Sequence, residues 1–128
     1  MPFRIAPSIL AADFLHLEKD VELVNSCGDV IHLDVMDGTL VPNISFGFSV
    51  IDQLSKVAKA PMDVHLMVVH PERWFKKVAD DGVQMCSFHL EAAVAWSFPP
   101  VSAPIVAREQ LDMRLRHRYM EIWRAWTI

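Results

Sequence analysis

The stretch Val30-Ile31-His32-Leu33-Asp34-Val35-Met36-Asp37-Gly38 reads as a buried strand that ends in a turn and carries two potential metal ligands. On a strand, alternate side chains share a face, so His32, Asp34 and Met36 point one way while Ile31, Leu33 and Val35 point the other. The second set is wholly apolar, which suits a face covered by helices. A second stretch, Asp63-Val64-His65-Leu66-Met67, repeats the design with Asp63, His65 and Met67 on one side. Two neighbouring strands of this kind aim two imidazoles and a carboxylate into one space. His-x-Asp on one strand with a histidine on the next supplies three ligands and leaves coordination positions open, as a catalytic metal site requires. A lone histidine on a strand is ordinarily a hydrogen-bonded core residue. Here the pairing of His32 with Asp34, and its echo in His65, favours the ligand reading over the structural one.

Outward from these strands, the chain alternates strand and helix patterns. Arg4 to Leu10 has strand character, with Pro7 confined to an end or a bulge because it has no N–H for a ladder. Asp13 is placed to cap a helix carrying Phe14, Leu17, Val21 and Val24 at helical spacing. Gly38 to Gly47 is a loop long enough to reach over a site. Ser49 to Lys59 reads as a helix with Val50, Ile51, Leu54, Val57 and Ala58 as its apolar stripe, and Pro61 precedes a strand over Met62 to Val68. Pro71 opens a helix to Asp81 with Trp74, Phe75 and Val78 as the buried face, stopped by Gly82. Met85 to Leu90 is the next strand. This rhythm predicts parallel βα units in an α/β fold.

The pattern stops after Ala93. Residues 1–93 hold 7 basic and 13 acidic side chains, whereas residues 94–128 hold 5 and 3. All four glycines lie at or before Gly82, and three of the four tryptophans lie beyond Ala93. Parallel α/β chains use glycine to close helices and to let backbone approach ligands, so no further βα unit is legible. The spacing of Leu111, Leu115, Met120 and Trp123 permits a helix over 108–126.

With 128 residues and 52% hydrophobic content, one globular domain is expected. A net charge of −4 gives no basic surface for a nucleic-acid backbone, and no apolar run reaches membrane-spanning length. Neither nucleic acid nor membrane is an expected partner. Met1-Pro2-Phe3-Arg4 has no signal-peptide character, and Cys27 and Cys86 form no paired pattern, so a cytoplasmic protein with reduced, core-type thiols is expected.

Several of these segments together resemble the ribulose-phosphate 3-epimerase family. They are Ile5-Ala6-Pro7-Ser8-Ile9-Leu10 with Ala12-Asp13-Phe14, His32-Leu33-Asp34-Val35-Met36-Asp37-Gly38, Val41-Pro42-Asn43, Asp63-Val64-His65-Leu66-Met67-Val68, and Phe88-His89-Leu90-Glu91-Ala92. Their order and spacing also match, over residues 1–93 and not over 94–128. The resemblance implies an eight-stranded (β/α)₈ or TIM barrel, of which this chain carries the first four βα units followed by an atypical tail. It implies interconversion of ribulose 5-phosphate and xylulose 5-phosphate in the pentose phosphate pathway, with one divalent metal ion (zinc, iron, manganese or cobalt). By the same resemblance His32, Asp34 and His65 bind the metal, and Asp34 is also the proton-abstracting base. Ser8, His65, Met36 and Met67 contact or line the substrate.

The chemistry fits the residue types. Inverting a carbon beside a ketone means removing its proton, holding an enediolate and reprotonating from the opposite face, which needs a base on one side and an acid on the other. Methionines give a dry wall that donates no proton.

The family pattern also needs an apolar-Asp-Gly-Gly motif for a fourth ligand and opposing acid, and late glycine-rich loops for the phosphate. Asp112 stands in no such context, and no glycine follows Gly82. A (β/α)₈ barrel takes about 250 residues. The expectation is therefore an interrupted barrel with an out-of-frame or substituted ending, and impaired or absent turnover. Unpaired sheet edges would favour a homo-oligomer. Two alternatives stand beside this: a non-catalytic metal-binding half-barrel, and an epimerase of another ketose phosphate such as allulose 6-phosphate. A sugar-phosphate decarboxylase would want a lysine beside the strand carboxylates, and neither strand carries one.

Overall fold

A computed structural model describes residues 4–89, 92–93, 105–108 and 119–124, the last two stretches as backbone strands. Three parallel strands form its centre: β1 (Ile31–Met36), β2 (Met62–Met67) and β3 (Met85–His89). Helices α1 (Leu17–Cys27), α2 (Phe48–Val57) and α3 (Phe75–Asp80) alternate with them. The arrangement is α/β, as the alternating patterns predict.

The register explains how the sheet divides its two faces. Ile31, Leu33 and Val35 stand opposite Met62, Val64 and Leu66, and Val64 and Leu66 stand opposite Cys86 and Phe88. Ile31, Leu33, Val64, Leu66 and Phe88 are completely buried and join one core with Val21 and Val24 of α1, Ile51 and Leu54 of α2 and Val78 of α3. Phe75 lies tilted on Phe88 with ring centroids 4.9 Å apart. Burying side chains of this size contributes roughly 1.5–3 kcal/mol each before chain entropy is counted, so this face holds the sheet together. Asn25 ties α1 to the end of α2: its Nδ2 donates to the Val57 carbonyl (2.9 Å) and its Oδ1 accepts from the Lys59 and Ala60 amides (2.8 and 3.1 Å).

Several element boundaries differ from the sequence expectation. The segment from Arg4 to Leu10 is not a full strand. It runs alongside β1 through one parallel bridge, Ser8 to His32, with the Pro7 carbonyl accepting from the His32 amide (3.0 Å). Proline cannot return a donor, and the chain then turns into a 3₁₀ segment, Ile9–Ala11, capped by the Ser8 hydroxyl. Helix α1 starts at Leu17, one turn after Asp13. Asp13 instead accepts from the Leu15 amide (3.0 Å) and pairs with His16 (2.8 Å). The expected helix 71–81 divides into a 3₁₀ turn, Pro71–Arg73, and α3. Trp74 at the junction is 41% exposed and stacks on Phe48 (5.0 Å) rather than entering the core. Cys27 is exposed, not packed, and Cys86 is partly buried; both are free thiols.

Past Ala93, the helix that the spacing permits over 108–126 is not what the backbone follows at its described residues. Strands β4 (Ile105–Arg108) and β5 (Tyr119–Arg124) pair antiparallel with each other, and β5 pairs antiparallel with β3, giving the order β1-β2-β3-β5-β4. Tyr119, Ile122 and Trp123 are strand formers by side-chain shape, and β3 offers them an edge of backbone donors and acceptors. Residues 109–118 and 125–128 lie outside the described residues. Among the described residues, no helix is long and apolar enough to cross a membrane.

Candidate metal centre

The other face of the sheet is chemical. Its register places His32 beside Asp63, Asp34 beside His65, and Met36 beside Met67. Parallel pairing in this register is what brings the two ligand-bearing strands to one level.

Asp34 is the hub. Its Oδ2 accepts a 2.6 Å hydrogen bond from the Ser8 hydroxyl. Its Oδ1 lies 3.1 Å from His32 Nε2 and 3.3 Å from His65 Nδ1. One carboxylate oxygen between two imidazole nitrogens at these separations is the disposition of three donors around a shared cation. Ligand atoms of His32, Asp34 and His65 all lie within 4.8 Å of one another, and among the described residues this is the one group of three with that property. The donor set, two nitrogens and an oxygen, suits zinc and other divalent first-row metals. The residues present fit such an ion.

Both imidazoles are held at their far side. His32 Nδ1 contacts Asp63 Oδ2 at 2.9 Å, and His65 Nε2 lies 3.2 Å from His89 Nε2, the two rings stacked with centroids 5.2 Å apart. The hydrogen bond that His32 donates to Asp63, reinforced by the charge of Asp34 and opposed by burial, raises the pKa of His32. Burial, together with neighbouring His89, lowers that of His65. In the metal-free state His32 therefore holds its proton more firmly and His65 more loosely than an ordinary imidazole.

The loop after β1 supports this cluster. Asp37 accepts from the Thr39 amide (3.0 Å) and the Val69 amide (3.3 Å) and bridges to Ile44, while Gly38 turns the chain at φ +83°. Ser45 then reaches back, donating to the Asp34 carbonyl (2.6 Å) and accepting from the Met36 amide (3.0 Å). Asn43 Nδ2 stands 3.7 Å from Met36 Sδ. Met36 and Met67 occupy the next same-face register step beyond Asp34 and His65, with Met67 buried.

The structure thus brings together Ser8, His32, Asp34 and His65, and sets Met36 and Met67 alongside them. The sequence leaves the roles of Asp63 and His89 open and gives no sign of Ser45. Asp63 holds the imidazole of the neighbouring strand, His32; the signal lies in the parity of the register, once parallel pairing is assumed. Ser45 sits in a loop, where nothing in the spacing marks it. His89 reaches the site because β3 pairs with β2 in a register that puts Ser87 beside His65.

Three parallel strands with their helices, and two histidines and a carboxylate gathered on one face, define an α/β protein with a candidate metal centre. The comparison with known proteins narrows this. The model of the Ribulose-phosphate 3 epimerase family matches residues 4–98, and the chain belongs to that family. It is 48% identical over 88 residues to the ribulose-phosphate 3-epimerase of Mycobacterium tuberculosis, covering 69% of this chain and 38% of that protein. It is 44% identical to that of Synechocystis over 88 residues (68% and 38%) and 43% identical to that of Bacillus subtilis over 90 residues (70% and 42%). The matched stretch spans about two fifths of the length of these curated relatives.

Proposed function

We propose that this chain carries the metal-binding and proton-abstracting half of a ribulose-phosphate 3-epimerase site. The observation that carries the proposal is the convergence of Ser8, His32 and His65 on the single carboxylate of Asp34. His32, Asp34 and His65 would hold one divalent metal ion. When bound, such an ion supplies positive charge that stabilises negative charge developing on substrate oxygens.

The chain's own groups account for the rest. Asp34 takes the proton from carbon 3 of ribulose 5-phosphate or xylulose 5-phosphate at a carboxylate oxygen. The Ser8 hydroxyl fixes that carboxylate's orientation through Oδ2, or turns to a substrate hydroxyl. Ser45 anchors the backbone on either side of Val35, so the side chains of Asp34 and Met36 keep their aim. Met36 and Met67 form a dry wall without exchangeable protons, which limits protonation at the wrong carbon. The barrel of the family would supply an opposing acid and a phosphate site; residues 4–93 contain neither an apolar-Asp-Gly-Gly motif nor a late glycine-rich loop.

A second reading rests on one observation: the edge of β3, where a further parallel strand would continue a barrel, is taken by antiparallel β5. That arrangement suits a non-catalytic metal-binding unit, alone or as a homo-oligomer. Metal content and turnover, measured together on the purified 128-residue chain, separate the two. Exchange of the carbon-3 proton with solvent that disappears in Asp34→Asn supports the epimerase half-site. Stoichiometric divalent metal without exchange supports the binding unit, and a chain that holds none of zinc, iron, manganese or cobalt overturns both.

A further inference from the structure

We propose that His89 is a positioning residue for the metal centre, fixing His65 in the tautomer that presents Nδ1 to the cation. The inference rests on the metal reading above and adds a residue to it. His65 Nδ1 is the nitrogen that faces Asp34 Oδ1 (3.3 Å), while Nε2 faces His89 Nε2 (3.2 Å). The two lone-pair directions of an imidazole diverge, so an ion held by Nδ1 is out of reach of His89. Its Nε2 accepts a hydrogen bond from His65 Nε2–H instead. The two ring planes are nearly parallel, 16° apart with centroids 5.2 Å apart, and the nitrogens are at the separation of an N–H···N hydrogen bond.

A pattern across the sheet supports the assignment. His32 on β1 has its far nitrogen held by Asp63 on β2 (2.9 Å), and His65 on β2 has its far nitrogen held by His89 on β3. Each candidate ligand is thus held by the strand that follows it, His32 from the position directly opposite and His65 from two residues beyond its opposite, Ser87. Outer partners of metal-bound histidines set tautomer and basicity, and their loss commonly weakens metal binding about 10–100-fold. The acceptor is a carboxylate for His32 and a neutral imidazole for His65, so the two ligands differ in basicity by design of the register.

The test uses the full chain and zinc alone, in wild type, His89→Ala and His89→Gln. Competition against a chromophoric chelator gives affinity, and nitrogen–proton correlation spectra of the zinc-loaded chain give the protonated nitrogen of His65. The expected result is about 10–100-fold weaker zinc binding in His89→Ala, with loss of the slowly exchanging His65 Nε2 proton. In His89→Gln, whose amide oxygen replaces the acceptor, affinity and that proton are restored. Unchanged affinity and an unchanged Nε2 proton in His89→Ala overturn the role of His89 and leave the metal reading standing. Should His89→Ala fail to fold, His89→Gln decides: a retained Nε2 proton supports the assignment, and its loss overturns it. Wild type that binds no zinc overturns the metal reading itself, and this one with it.

Discussion

The two faces of the β1–β2–β3 sheet are built from the same strands and do opposite things. One face, Ile31, Leu33, Val35, Val64, Leu66 and Phe88, meets the helices and is sealed from water. The other, His32, Asp34, Asp63, His65 and His89, keeps partial access to solvent and binds its members by hydrogen bonds rather than by packing. A one-residue change of register would exchange the two sets. The buried face therefore determines where the candidate ligands point, and stability and metal binding should be separable by mutation.

The largest effect should come from the apolar face. Phe88→Ala removes a fully buried ring and should cost about 3–5 kcal/mol in urea unfolding. Zinc should still stabilise whatever fraction of that variant is folded. A loss below about 1 kcal/mol would mean that the face is not the core that holds the sheet.

On the opposite face the effect should depend on metal. At a free zinc concentration a hundredfold above Kd, wild type should gain about 2.7 kcal/mol of stability over the chelated chain. Asp34→Asn should lose most of that gain while differing little from wild type without zinc. An equal gain in both proteins would break the division between the faces.

A smaller effect, of opposite sign for the two histidines, should appear in the pH dependence of metal-free stability. His32 has a raised pKa, so its contribution is complete below its unfolded value of 6.5 and disappears as pH rises through the raised folded value. His65 has a lowered pKa, so its contribution is present above 6.5 and is lost as pH falls through 6.5 towards the lowered folded value. Asp63→Asn should remove the first of these alone, destabilising the metal-free chain below 6.5 more than well above it. Zinc affinity of wild type should rise with pH, with proton release on binding measurable by calorimetry in buffers of different ionisation heats. PH-independent binding without proton release would rule out His32 as a ligand.

The smallest change should come from the loop. Ser45→Ala removes two hydrogen bonds around Asp34 and Met36 and should cost about 1–2 kcal/mol, with a modest loss of zinc affinity through a less rigid β1 end. A cost only in stability would show that the loop supports the strand without aiming the ligand.

Much of this was legible in one dimension, and the misses have a common cause. Alternation along 31–36 and 62–67 is a local property, so strand identity, the apolar face and the placing of His32 with Asp34 on one face and of His65 on the matching face of its own strand follow from spacing alone. Trp74 looked like core because the helical period counts it so, yet the helix breaks into two pieces there. Arg4 to Leu10 looked like a strand because it is apolar, yet Pro7 and the capping by Ser8 end its pairing after one bridge. The pattern over 108–126 was weak, and pairing with β3 made a strand of Tyr119–Arg124.

By itself the sequence determined which side chains share a face, because strand pleating is set by the backbone within a few residues. Only the tertiary structure decided which groups on different strands touch: Asp63 with His32, His89 with His65, Ser8 with Asp34. Those contacts depend on parallel pairing and its register, which arise from packing between segments some 24 to 31 residues apart.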